Sequence, residues 1–141
     1  MVVHKLLIEK RGEKMKILLT GGTGYIGSHT AIELIKQGYE VEIMDNLFNS
    51  KITVLDKIEK ITGVKPKFYE VDLLDKEGMQ KMFEEGKYEL VIHFAGLKAV
   101  AESVEKPLEY YENNISGTIN LVKCMLASGV FKLVFSSSAT V

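Results

Sequence analysis

Apolar and polar positions along this chain change rhythm five times. Short unbroken apolar runs, the mark of strands buried on both faces, alternate with stretches where apolar residues recur every three or four positions, the mark of helices. Ile17-Leu18-Leu19 is the first run and ends in a glycine-rich turn. Tyr25 to Gln37 follows as a helix, which Gly38 is placed to stop with a left-handed residue. Val41-Glu42-Ile43-Met44 is the second strand, ending at Asp45. Ser50 is placed to cap a helix running to about Ile61, with Thr62-Gly63 as its end. Pro66 to Val71 reads as the third strand, Asp75 as the cap of a helix ending near Gly86, and Leu90 to Phe94 as the fourth strand. A loop then leads to Pro107, which suits the first turn of a helix. That helix is expected to run to Gly129, with Leu108, Tyr111, Ile115, Ile119, Val122 and Leu126 on one stripe. Leu133-Val134-Phe135 is the fifth strand. Such alternation predicts an α/β fold, a doubly wound parallel sheet with right-handed crossovers and helices on both faces.

Composition removes several alternatives. With 141 residues, 46% of them hydrophobic, the chain can bury the core of one ordinary domain. Eighteen basic against 19 acidic residues leave no footprint for nucleic acid or an anionic membrane surface. No run of about 18 apolar residues is present to span a bilayer. The lone cysteine, Cys124, excludes an intramolecular disulfide and a cysteine-built zinc site, and it fits a cytoplasmic location. Residues 1–14 carry four Lys/Arg against two Glu and lack the apolar region and cleavage site of a secretory signal. They are read as an extension ahead of Met15.

Thr20-Gly-Gly-Thr-Gly-Tyr-Ile-Gly27 is the strongest local signal, because it joins a strand to a helix. Glycines there let the backbone turn sharply and approach a pyrophosphate, which the free amides and positive end of the helix attract. The spacing is Gly21-x-x-Gly24-x-x-Gly27, and alone it would describe only a tight turn. Asp45 changes that reading, since it ends the second strand where a carboxylate can accept hydrogen bonds from ribose hydroxyls. Its charge repels a 2′-phosphate, so NAD is favoured over NADP. Asp72, ending the third strand, is as well placed to cap its loop as to meet an adenine amino group, and the same holds for Asp75. Ala95 and Gly96 are small enough for a cofactor to pass close by, and Lys98 is a lone cation at the mouth of the crevice. His93 is expected to be a half-buried strand residue. His29 and His4 have no partners at ligand spacing, so no metal site is expected. Phe135-Ser-Ser-Ser-Ala-Thr140 puts hydroxyls at the end of the last strand, as a polar loop or as donors to a substrate oxygen.

Taken together, these segments resemble the extended short-chain dehydrogenase/reductase superfamily, and within it the UDP-glucose 4-epimerase family. The resemblance runs from about Met15 to Val141 through TGGTGYIGSH at 20–29, MDNLFNS at 44–50, VIHFAGLKAVAESVEKPLEYYENN at 91–114 and FSSSATV at 135–141. It implies a Rossmann-like NAD-binding domain over residues 15–141. It also implies an isomerase of galactose metabolism that oxidises C4 of a UDP-hexose to a transient 4-keto sugar and returns hydride to the opposite face.

Carried over by position, Gly21, Gly24, Tyr25, Ile26 and Gly27 would hold the pyrophosphate, and Asp45, Asn46, Asn49 and Ser50 the adenosine ribose. Asp72 and Leu73 would meet adenine, while Phe94, Ala95, Gly96, Lys98 and Asn113 would line the rest of the cofactor path. Ser138 matches the catalytic serine that hydrogen-bonds the reacting sugar hydroxyl. Ser-Ala-Thr at 138–140, where relatives that dehydrate nucleotide sugars carry Thr-Asp-Glu, makes a dehydratase the poorer reading. The family's Tyr-x-x-x-Lys occurs nowhere in the chain, so these residues are expected to be the amino-terminal, cofactor-binding part, inactive alone. A homodimer is also implied, and an uncovered Leu133-Val-Phe135 edge would favour association. The alternatives are a non-catalytic NAD-binding module, or a related epimerase or dehydratase of another nucleotide sugar.

Overall fold

Each expected strand is present in the computed structural model, which describes residues 14–137. The elements are β1 (Lys16–Thr20), α1 (Tyr25–Lys36), β2 (Glu40–Asp45), α2 (Thr53–Thr62), β3 (Lys67–Glu70), α3 (Lys76–Gly86), β4 (Leu90–His93), α4 (Val100–Glu105), α5 (Pro107–Tyr111), α6 (Gly117–Ala127) and β5 (Leu133–Phe135). All paired strands run parallel, in the order β3-β2-β1-β4-β5. Chain order moves outward from β1 to β3, then returns across the sheet to β4. That reversal opens a crevice at the carboxyl ends of β1 and β4, the place where such sheets bind ligands.

The two-residue period of a strand sends neighbours to opposite faces, and both faces are covered. On one, Leu18, Met44 and Val91 pack against Met79, Met82 and Phe83 of α3 and Leu121, Cys124 and Met125 of α6. On the other, Ile17, Leu19, Ile43, Leu90 and Ile92 meet Ala31 and Leu34 of α1 and Leu55 and Ile58 of α2. This double burial is why the strands read as unbroken apolar runs. Glu42 interrupts the β2 run, a buried carboxylate bound by the Tyr88 hydroxyl at 2.6 Å and Lys16 Nζ at 2.7 Å. Burial, reinforced by the Glu42 charge, holds the Tyr88 phenol far above its usual range.

Four local expectations are corrected. Ser50 does not cap α2, which starts at Thr53 with no side-chain cap; its hydroxyl is drawn to Thr23 Oγ1 at 2.7 Å instead. The loop before Pro107 contains α4. The long helix from Pro107 is broken by a π-helical turn, Glu112–Ser116, between α5 and α6. Its stripe also faces outward: Leu108, Tyr111, Ile115, Ile119 and Leu126 are exposed and Val122 is half-buried. Tyr110, Leu121, Cys124 and Met125 form the inward face. The helix is apolar on two sides, so its period finds a stripe without telling which one turns inward, and the π turn shifts the phase between them. Asp75 does cap α3, accepting the Gly78 N–H at 2.9 Å. Gly63 ends α2 in the left-handed conformation, at φ 77°.

Candidate cofactor-binding site

The crevice is built first from the turn after β1. Gly21 takes φ 70°, donates its N–H to the Met44 carbonyl at 2.8 Å, and approaches β4 so closely that a Cβ would lie 2.6 Å from the Ala95 nitrogen. Gly24 is the N-cap of α1 in extended backbone, with no side-chain cap and no acidic residue in the first turn. The leading amides of α1 thus keep their hydrogen-bonding capacity and the positive end of the helix dipole. Tyr25, Ile26 and Gly27 present that end to the cleft.

Asp45, at the end of β2, organises the next wall. Its Oδ2 accepts the Thr23 N–H at 3.2 Å, and its Oδ1 accepts the Leu47 N–H at 2.9 Å and the Ser50 hydroxyl at 3.3 Å. The carboxylate therefore ties the glycine turn to the loop after β2, where Leu47 takes φ 58°. Asn46 accepts the Phe48 N–H at 3.1 Å and donates its amide to Asp72 Oδ2 at 2.7 Å. Asp72 Oδ1 in turn accepts the Leu74 N–H at 2.8 Å. Of its two readings, loop capping is the one these bonds express; Val71 and Leu73 line the cleft beside it.

The third wall follows β4. Phe94, Ala95, Gly96 and Lys98 line the cleft together with Asn113 from the π turn. Asn114, which the sequence reading passed over, holds this loop by accepting the Leu97 N–H at 2.8 Å and donating to the Leu97 carbonyl at 2.9 Å. Paired asparagines inside a helical pattern were the available signal, since Asn competes with the helix for backbone bonds. His93 is fully buried, at 1% exposure, rather than half-buried. Burial, aided by the Lys98 charge, pushes its imidazole down to about 4.

The result is an open cleft of about 410 Å³. It brings together all the anticipated cofactor contacts except Asp72, along with Met44, Phe48, Val71, Leu97 and Ala99, which had no sequence signal beyond their neighbours. Ser138 lies outside the described residues. Among the described residues, no three His, Cys, Asp or Glu side chains gather as a metal site would require. The cleft fits a dinucleotide. Its floor is glycine backbone, with no room for a Cβ at Gly21 or Gly27, an uncapped helix start stands where a diphosphate would lie, and a carboxylate stands at the end of β2.

Sheet order, glycine turn and cleft together define a Rossmann-like dinucleotide-binding domain. The chain belongs to the NAD dependent epimerase/dehydratase family, whose model matches residues 17–141. It is 58% identical over 125 residues to a UDP-glucose 4-epimerase of Schizosaccharomyces pombe, covering 89% of this chain and 35% of that one. Identity is 54% over 127 residues with a UDP-glucose 4-epimerase of Klebsiella pneumoniae, covering 90% of this chain and 91% of that sequence. The crystal structure of UDP-glucose 4-epimerase from Bifidobacterium longum, in complex with NAD+ and UDP, superposes with a TM-score of 0.88 at 50% identity. That match covers 90% of this chain and 38% of the other. The chain thus spans little more than a third of the S. pombe and B. longum proteins.

Proposed function

We propose that residues 15–141 are the cofactor-binding domain of an NAD-dependent UDP-glucose 4-epimerase, with residues 1–14 as an extension. The observation that carries this reading is the cleft, its three walls built by segments that also carry the resemblance: the glycine turn common to the superfamily, MDNLFNS, and the narrower HFAGLK. The identity to curated UDP-glucose 4-epimerases supports the sugar assignment. When bound, NAD would take hydride from C4 of a UDP-hexose and return it to the opposite face.

The residues here would bind and orient. The amides of Tyr25 to Gly27 would meet the diphosphate, and Asp45 would accept a ribose hydroxyl on Oδ2, which takes only the Thr23 N–H, since Oδ1 already takes Leu47 and Ser50. Leu73 would flank adenine while Asp72, bound to Asn46 and Leu74, holds the loop beside it. Lys98 would add a positive charge along the cofactor path, and Ser138 would hydrogen-bond the reacting sugar hydroxyl. The test has two arms. Isothermal titration should show NAD binding to the protein. The protein with a reading frame continued to a Tyr-x-x-x-Lys should turn UDP-galactose into UDP-glucose; NAD binding without conversion would leave only a dinucleotide-binding module.

A cytoplasmic location and a role in galactose metabolism belong to the same reading. So does a homodimer, supported by the exposed stripe of Leu108, Tyr111, Ile115, Ile119 and Leu126. Among the described residues, no helix is long and apolar enough to cross a membrane. Ile119→Glu is expected to give a monomer by sedimentation while shifting stability by no more than about 0.5 kcal/mol, as exposed substitutions do. A dimer that survives Ile119→Glu would place the contact elsewhere.

A further inference from the structure

His93 sits at the centre of a hydrogen-bonded chain that the cofactor reading does not use. Thr118 Oγ1 donates its only proton to the Asn114 carbonyl at 2.6 Å, so toward His93 Nε2, 3.0 Å away, it can only accept. The imidazole must therefore carry its proton on Nε2. Nδ1 is then bare and accepts the proton of Thr20 Oγ1 at 2.5 Å, and the same Thr20 oxygen receives the Ala95 N–H at 3.4 Å. One arrangement of protons satisfies every group, and it leaves no freedom in direction. The chain starts at the end of β1 and finishes on the π turn, where the Asn114 side chain grips both backbone groups of Leu97.

We propose that the Thr20–His93–Thr118 chain is a positioning relay, in which neutral His93 with its proton on Nε2 locks the Asn114 turn and so sets the Gly96–Lys98 wall of the cleft. Its effect on NAD rests on the dinucleotide reading of the cleft; the relay itself does not. Other neighbours agree with a neutral ring. β1 offers Thr20, the helical side offers Thr118, and β5 lays Phe135 against the imidazole with ring centres 5.6 Å apart. Lys98 is the charged group acting on it, and its sign opposes protonation. A second proton on Nδ1 would meet the Thr20 hydroxyl head-on and strand it, since Thr20 has no solvent exposure. Positioning through packed polar groups of this kind holds a loop without touching the ligand.

The test uses the full-length protein with nitrogen-15 histidine. At pH 7 the His93 resonances should show a protonated Nε2 and a bare Nδ1. Thr118→Val, which removes acceptor and donor at nearly constant volume, should speed exchange of the Leu97 amide and weaken NAD binding, each by about tenfold. Thr118→Ser should restore both. A proton on Nδ1, or a Leu97 amide protected as in wild type after Thr118→Val, overturns the relay. Should Thr118→Val fail to fold, the tautomer in the wild-type protein still decides. A wild-type protein that binds no NAD would sink the dinucleotide reading, while tautomer and Leu97 exchange would still judge the relay.

Discussion

Gly27→Ala is expected to destabilise the protein by about 2–3 kcal/mol and to weaken NAD binding at least about 100-fold. The new Cβ would overlap the Gly21 carbonyl oxygen and lie 2.8 Å from Gly22 Cα. Both obstacles are backbone, and neither can rotate aside. Relief requires the start of α1 to move away from the turn, and with it the amides of Tyr25, Ile26 and Gly27, which line the cleft and on the proposed reading would meet the diphosphate. Gly21 cannot give way in return, because its N–H is tied to Met44 and its α-carbon already abuts Ala95. A displacement near 1 Å is enough to remove most of the binding gained from oriented groups. Gly24→Ala is the matched control: its Cβ would meet the Gly21 oxygen at 3.2 Å in an extended backbone, a contact relieved by a few tenths of an ångström. It should lose no more than about tenfold in affinity. Titration calorimetry with NAD, beside urea melts of both variants, measures the pair. Wild-type affinity in Gly27→Ala would mean that α1 does not address the ligand.

The contrast between these glycines shows how far sequence carries. Double burial leaves an unbroken apolar run for each inner strand, and strand–helix alternation with right-handed crossovers admits few sheet orders, so the fold was legible. The site was legible wherever a strand ends at the crevice, because the fold itself delivers Gly21, Asp45 and Ala95 there. What escaped depends on geometry between segments far apart in the chain. Ser50 has the right type for a helix cap, but Thr23 and Asp45 compete for its hydroxyl across 27 and five residues. Asn114 acts only because the π turn re-aims it at Leu97, and an extra residue in a helix leaves no mark in a hydrophobic period. The outward stripe of α5 and α6 failed for the opposite reason: two apolar faces gave two valid answers. His93 looked half-buried because the hydroxyls that satisfy it, Thr20 and Thr118, come from other elements.

That buried imidazole gives the protein an acid-sensitive stability. The ordinary histidine value is 6.5 and the folded value is about 4, so the unfolded chain takes up a proton at His93 before the native one does. The sign follows: this contribution is present in full above pH 6.5, declines as pH falls from 6.5 toward 4, and is gone below that. At about 1.4 kcal/mol for each pH unit between those two values, the expected loss is about 3–4 kcal/mol. Carboxylates also titrate over part of this range, so the measurement must isolate His93. His93→Gln does so, since its amide can still donate toward Thr118 but cannot take up a proton. At pH 7 the variant should be less stable by about 1–3 kcal/mol, having lost the acceptor for Thr20. As the pH falls toward 4 that gap should shrink and then reverse or close, because only the wild type carries the penalty of keeping an imidazole neutral. Urea midpoints of the two proteins across pH 4–8 provide the difference curve. A gap that stays constant over that range would show that the folded and unfolded chains take up the proton at His93 alike, and a ring held neutral between Thr20 and Thr118 would fail with it.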